Sequence, residues 1–404
     1  MPTDLPRPAE SPATPPKPLG LDGNRTSTNE RGIVLPYVVG YRRLALKWIS
    51  SPFNFWTRNI KQKVGKKKKT VAKDVYCSIA GALCLGPLDR VMEIRYSGKP
   101  IWSSGYTFRS GQDVQTIHTD KGKFHIYRGT ASQAASSHLR PQVTHWSSAA
   151  QSNFRGWFEP IFLALLARLQ GGQNMSDVMR DEHPRYPGIA YVVVESLYCG
   201  RNTRAVPNLE VVVGRSPEVP AWLPVDRTLQ DNGCNPVAII GELLTRPELG
   251  VGLPQNEIEA TELTRLGDAL TADPARFYLS VQLDAQKSAS DVLGDILRHF
   301  DGFQATREGR VSLGYFAKDG VLPEVTTITQ HHLTEQPQMT LPDWSDTVNR
   351  VVVKFPNRAN GYEEDSVDRK SNYNQRIQKR MVTKNLEASA IIAPAQASRF
   401  ASDQ

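Results

Sequence analysis

The residues of this chain whose types and spacing could do chemistry are few and scattered. Phe53, Phe55 and Trp56 come just ahead of a basic run, Lys66, Lys67, Lys68 and Lys69. Aromatics interleaved with lysines can stack bases and hold phosphates, which is how single-stranded nucleic acid is bound. The same pattern also suits a hairpin tip with solvated lysines, or a dock for the acidic face of a partner. These residues are the candidate partner contact. Cys77, Cys84, Cys199 and Cys234 lie far apart, with no CxxC and no accompanying His cluster, so they read as buried free thiols rather than zinc ligands or disulfides. His331 and His332 are neighbours, and adjacent side chains point apart on a helix or a strand, so they read as a solvated pair. Glu363 and Glu364 read as part of an exposed loop, where a general acid would lack the desolvation that raises its pKa. There is no Walker loop, GxGxxG, HExxH or GxSxG. The expectation is a protein that is not an enzyme, with no catalytic, cofactor-binding or metal residue.

Size and charge narrow the class. A chain of 404 residues is too long for one ordinary core and implies two or three domains. The net charge of +8 is uneven: residues 1–73 carry fifteen Lys/Arg against four Asp/Glu, a balance of +11, so the rest sums to −3. Basicity confined to one end argues against nucleic-acid binding by the protein as a whole. The longest apolar stretch, Trp157–Leu169, contains Glu159, Pro160 and Arg168 and suits a buried or partner-facing helix better than a membrane span. The proline-rich start is not a signal peptide, so synthesis in a cytoplasm is expected.

The elements that must position these residues fall into two styles. Residues 1–30 are rich in Pro, Ser, Thr and Asn and predict a disordered or extended arm. Gly32–Gly40 and Tyr41–Ile49 read as two strands, and Ser50–Lys73 as a loop carrying the aromatics and lysines. Val71–Leu85 is strand-like until Gly86-Pro87 breaks it, and Val91–Trp102 is a hairpin around Ser97-Gly98. Phe124–Gly129 is a short strand. Residues 131–182 are irregular and include an apolar helix at Ile161–Leu169. Pro184–Val194 enters a strand buried on both faces, with Leu209–Val213 as its expected partner. Many short strands with Gly/Pro turns suggest a β-barrel or a sandwich. After Gly214 helices take over. Asn235 caps a helix that begins at Pro236 and ends before Pro247, with Val237, Ile240 and Leu244 on one face. Glu257–Leu270 and Ser288–Phe300 follow, the latter opened by Ser288 and Asp291 and closed by Gly302. Phe303–Phe316 is a hairpin turning at Glu308-Gly309. Residues 216–330 thus read as a compact α/β unit, and Val348–Phe355 starts another strand-rich piece. The last residues, AQASRFASDQ, read as the first turn of a helix.

Five segments together resemble a known family. They are GIVLPYVVGYRRLALKWI; VYCSIAGALCLGPLDRVMEIRYSGKPIW; the pair FHIYRGT and HPRYPGIAYVVVESLYCGRNTRAVPNLEVVV; NPVAIIGELLTRPELGVGLPQNEI; and WSDTVNRVVVKFPNRANGYEEDSV. In this order they resemble the hub of long-tailed bacteriophages, the tail tip attachment protein J family, and the related hub proteins of gene transfer agents. The stretch Ser132–Glu182 looks longer than its counterpart in the family, and the C-terminus arrives early, which suggests a fragment or a hub continued elsewhere.

The resemblance implies an α+β, multi-domain protein: β-barrel-type hub domains at 31–215 and from 341 to 404, an insertion around 131–182, and a smaller α/β accessory domain at 216–340. It implies a structural role at the distal tip of a tail, closing the tube and opening for DNA ejection. The partners would be two further copies in a homotrimer, the distal tail protein or tube ring, the tape measure protein, and other tip proteins and fibres. DNA would be met only in transit, without stable membrane insertion, and the location would be the virion tail tip. A trimer can meet a hexameric tube only if each chain offers two similar surfaces. Alternatives are a tail-associated wall-degrading enzyme, a nucleic-acid-binding module, or the hub of a gene transfer agent or tail-like bacteriocin.

Overall fold

The computed structural model describes residues 34–50, 52–64, 67–139, 185–203, 205–248, 251–285, 287–316, 335 and 347–403. The expected N-terminal arm, the Ile161–Leu169 helix with most of the 131–182 insertion, and His331-His332 lie outside the described residues.

Strand β1 (Tyr37–Ala45) replaces the two strands expected on either side of Gly40. Gly40 does not end the strand. It sits at φ +84° because Ser280 crosses against it, and a Cβ there would come within 2.3 Å of the Ser280 hydroxyl oxygen. After β1 come β2 (Lys47–Trp48), β3 (Phe53–Val64) and β4 (Lys67–Leu85). The expected loop at 50–73 is therefore a long antiparallel hairpin, with Arg58 opposite Asp74 and Lys63 opposite Lys68. Then follow β5 (Arg90–Tyr96), β6 (Lys99–Trp102), β7 (Tyr106–Thr107), β8 (Val114–Thr119), β9 (Gly122–Tyr127), β10 (Ile189–Arg201) and β11 (Leu209–Arg215). Ser97 and Gly98, both at positive φ, make the β5–β6 turn that the sequence predicts.

Two six-stranded sheets result. One runs β12-β1-β11-β5-β6 with β7 beside β5, where β12 is Val281–Leu283; the other runs β2-β4-β10-β9-β8 with β3 beside β4. No strand ladder joins them, so among the described residues the architecture is a sandwich with no closed barrel. β10 does not pair with β11, contrary to the sequence expectation. The two strands face each other across the interior, where Val192, Val194 and Leu197 share a core with Leu209, Val211 and Val213. The apolar runs had suggested pairing, but a strand buried on both faces needs only a layer above and below it.

The first sheet has a second buried face. Val38 and Leu44 of β1 point into the sandwich, while Tyr37, Val39 and Tyr41 point into a helical layer. That layer holds α1 (Pro236–Thr245), α2 (Ala260–Thr271), the short α3 (Pro274–Phe277) and α4 (Ala289–Arg298). The caps of α1 are as predicted: the Asn235 side chain accepts from Val237 N and Arg246 closes the end. Its burial is not. From Pro236 to Leu244 every residue is buried, not one broad side, because α2, α4 and β1 enclose it. Ser288 caps α4 by accepting from Asp291 N. The left-handed residue after α4 is Asp301 at φ +53°, not Gly302, which instead opens β13 (Gly302–Arg307) packed too closely on Phe300 for any side chain. β13 pairs with β14 (Arg310–Tyr315) through the Glu308-Gly309 turn, and this hairpin packs on α2 and α4 rather than over α1.

A third sheet finishes the described chain. β15 (Arg350–Asn357) lies between antiparallel β16 (Glu363–Lys370) and parallel β17 (Thr383–Glu387), with α5 (Asn372–Gln378) between the last two in sequence. α6 (Pro394–Asp403) packs on β15 and β16, and its Ala397, Phe400 and Ala401 join Val353 and Phe355 in the core that contains α1. Glu363 and Glu364 are in β16, not in a loop. Their polar stretch holds as a strand because cross-strand cations answer it, with Lys354 at 3.2 Å from Glu364 and Arg350 at 2.8 Å from Asp368.

Candidate functional site

The outer face of the second sheet carries most of what is chemically distinctive. A bulge near Asn54 (φ +50°) decides how the predicted aromatics are used. Phe53 lies opposite Ser78 and Trp56 opposite Tyr76, so residues three apart on β3 face residues two apart on β4. Phe53 and Trp56 therefore share the outer face, while Phe55 turns inward to the sandwich core. Phe53 is buried with Ala80, Tyr127 and Tyr191, and Trp56 alone of the three is substantially exposed, at 44%. Lys67, Lys68 and Lys69 belong to β4; Lys66 and the side chains of all four lysines lie outside the described residues.

Trp56 is part of a larger surface that spacing did not reveal. Its ring stacks on Tyr76 at 4.0 Å and 4°, and Tyr76 meets Tyr198 of β10 at 5.5 Å. Arg58 stands 5.8 Å above Tyr76, and Lys121 stands 5.3 Å from the Tyr198 ring. Asp74, buried beneath, pairs with Arg58 at 2.9 Å and Arg201 at 3.6 Å; the Arg58 hydrogen bond holds its carboxyl below the usual range. The result is a basic, aromatic surface at the root of the hairpin, with its charges fixed in place. Tyr76 belongs to a run expected only to be strand-like, and Tyr198 lies past the expected strand at Pro184–Val194, in the part of β10 that runs on to Arg201.

Further along the same face, His125 of β9, Glu195 of β10 and His138 of the loop after β9 come together. The sequence reading named no metal ligand, and these three are separated by 13 and 57 residues with no local motif. The cysteines are all buried and unbridged. Cys77 and Cys199, on neighbouring strands, approach to 3.2 Å between sulfurs.

A buried ion pair lies on the other side of the first sheet. Arg215, at the end of β11, and Glu242, in the middle of α1, are both fully buried. Arg215 Nη1 donates to Glu242 Oε2 at 3.1 Å and to the Val38 carbonyl at 3.2 Å, Nη2 donates to Glu242 Oε1, and the Tyr37 hydroxyl donates to Glu242 Oε2 at 2.8 Å. Burial opposes the Arg215 charge, but Glu242 more than offsets it and raises the Arg215 pKa; burial and Glu242 also push Tyr37 up. Both side chains are sealed from solvent between β11 and α1. An open groove of about 560 Å³ nearby is lined by Trp222, Arg246, Pro247 and Leu253 among others.

Comparison with known proteins bears on the whole chain and on its last third. Residues 288–404, from the cap of α4 through the third sheet, match the Phage-tail_3 family model, described as "Putative phage tail protein". Among solved structures, the chain is similar to a chain of the virion of a native gene transfer agent (GTA) particle, with a TM-score of 0.52 and 14% identity, over 92% of this chain and 72% of that one. No curated protein matches the chain. At that identity the likeness is one of fold.

Proposed function

We propose that the chain is a structural protein of a phage-type tail, and within it the hub at the distal tip. The observation that carries the reading is the fold similarity along nearly the whole chain to a component of a gene transfer agent virion, with a phage tail family match covering α4 to α6. In this reading the β-rich regions 31–215 and 341–404 face the tube, and 216–340 is an accessory domain. Three copies meet the distal tail protein or tube ring, hold the end of the tape measure protein and connect to other tip proteins and fibres. The switch to the open state is mechanical, through interfaces with two discrete arrangements, and DNA is met only in passage. The chain acts as a scaffold and not as an enzyme. The basic aromatic surface at Trp56, together with Lys66, Lys67, Lys68 and Lys69, is the partner contact.

The fold similarity equally favours a gene transfer agent particle as the setting. The test is assembly. The purified chain should form trimers and co-elute with the distal tail protein of its own particle, and Trp56→Ala combined with glutamates at 66–69 should weaken that association. A chain that stays monomeric at high concentration and ignores the distal tail protein would sink the hub reading.

A further inference from the structure

The cluster on the outer face of the second sheet has the chemistry of a cation site. His125 is 5% exposed, and its Nδ1 lies 2.9 Å from Thr116 Oγ1 on the neighbouring strand. With Nδ1–H donating to that hydroxyl, Nε2 carries the lone pair. Nε2 is buried and makes no hydrogen bond, although Glu195 Oε2 is only 3.2 Å away. Its axis passes the carboxylate oxygen rather than pointing at it. His138 Nδ1 stands 2.8 Å from the other oxygen, Glu195 Oε1, and the ligand atoms of the three residues lie within 4.8 Å of one another.

Two imidazoles and a carboxylate form a donor set of borderline softness, suited to zinc-class ions rather than to calcium or magnesium. Ligands about 2.0–2.1 Å from a tetrahedral zinc are spaced about 3.3 Å apart, with the ion off the line joining any two of them. The offset at His125 Nε2 and its 3.2 Å gap to Glu195 match that spacing. Thr116 would fix the tautomer of His125, as outer partners of metal-bound histidines do. The rings of His125 and His138 stack at 3.7 Å and 9°, which puts their lone pairs in parallel, offset planes. His138 must therefore turn about its Cβ–Cγ bond for its nitrogen to converge on the ion, and it sits half-buried in a loop, free of strand packing.

We infer that His125 Nε2, His138 Nδ1 and a carboxylate oxygen of Glu195 bind a divalent transition-metal ion of the zinc class, with water completing the coordination. The ion ties β9 and β10 to the loop at 131–139, which covers the stacked Tyr127 and Tyr191 and buries Leu139 against them. The site is structural, and it stands independently of any role in a tail.

The experiment uses the full chain, stripped with EDTA and titrated with ZnCl₂, with CoCl₂ as a spectroscopic probe. About one zinc should bind per chain and raise the melting temperature reversibly, with cobalt giving visible bands of nitrogen and oxygen ligation. His138→Ala and Glu195→Gln, both at partly exposed positions, should abolish this while leaving the metal-free melting temperature near that of the wild type. Thr116→Val should weaken zinc about 10–100-fold through loss of the outer hydrogen bond. Failure of the wild type to bind zinc would overturn the site. So would zinc bound equally well by His138→Ala and Glu195→Gln, which would place the ion elsewhere.

Discussion

Replacing Glu242 by Gln removes one negative charge and almost no volume, so its effect isolates the buried ion pair. In the wild type, Glu242 accepts from both terminal nitrogens of Arg215, from Tyr37 and from Arg246 Nη1 at 3.1 Å. The amide of Gln offers one acceptor oxygen to these donors and turns its NH₂ group toward another of them. Arg215 is left fully buried with no counter-charge, and Arg246, itself cationic, cannot supply one. Breaking a buried pair on one side costs about 3–5 kcal/mol. At roughly 2 °C per kcal/mol for a domain of this size, the melting temperature should fall by about 6–10 °C. Arg215→Met should cost less, about 2–3 kcal/mol, because Glu242 keeps Tyr37 and Arg246. The double variant Arg215→Met/Glu242→Leu should recover most of the loss, since apolar replacement of a buried pair is often neutral. Urea denaturation of the wild type, Arg215→Met, Glu242→Leu and the Arg215→Met/Glu242→Leu double variant closes a cycle that gives the coupling energy. A loss below about 1 kcal/mol for Glu242→Gln, or strictly additive single and double variants, would refute the reasoning.

Other outcomes follow from named groups. His299 donates from Nδ1 to the Asp295 carbonyl at 2.6 Å, and its Nε2 is sealed without a partner; burial chiefly, with Arg298 and Arg42 nearby, pushes its pKa down to about 4 from 6.5. The unfolded chain protonates this ring below about pH 6.5 and the folded chain does not, so stability should drop by about 3 kcal/mol between pH 7 and 4. His299→Phe, which keeps the stacking on Phe400, should lose that part of the slope when both proteins are unfolded in denaturant across this range. Asn235→Ala deletes the cap of α1 and also the side-chain donors to the Gly267 carbonyl and Thr271, all within a buried site, and should cost about 2–3 kcal/mol by the same titration. Burial pushes the Cys84 thiol up to about 12, and the other three cysteines are buried as well. A thiol reagent should therefore label none of them in the folded chain and all four in denaturant; rapid labelling of the native protein would show that the sandwich opens.

Local chemistry was readable from the sequence wherever neighbours in sequence decide it. The Asn235 and Ser288 caps, the Ser97-Gly98 and Glu308-Gly309 turns and the break at Gly86-Pro87 depend on a few adjacent residues, and each stands where it was read. Strand pairing is decided by residues far apart. Val192 and Val211 look alike in sequence, and nothing in either run says that one lies above the other rather than beside it. Gly40 read as a terminator because the reason for its left-handed conformation, Ser280, is 240 residues away. The site residues show the same divide. Trp56 reads from the sequence as one of three aromatics ahead of the lysines, but the bulge separates it from Phe55, and the Tyr76 and Tyr198 rings beside it come from other strands. Glu242 carries no local signal at all: a single acid in an apolar helix looks like a solvent edge, and its partner Arg215 is 27 residues away.

Strand β1 is held on four sides. β11 and β12 hydrogen-bond its two edges, the sandwich core grips one face and the helical core the other. A strand bound in this way cannot be peeled from one layer while the other stays intact. A pull along its axis loads both ladders in shear, so neighbouring bonds must yield together instead of one after another. Amide exchange at Val38 and Val39 should then require opening of the whole body, while the outer hairpin at 53–75 exchanges through local fraying. Any force entering through the residues ahead of Tyr37 arrives at a strand shared by two ladders and is divided at once between the two cores that grip it.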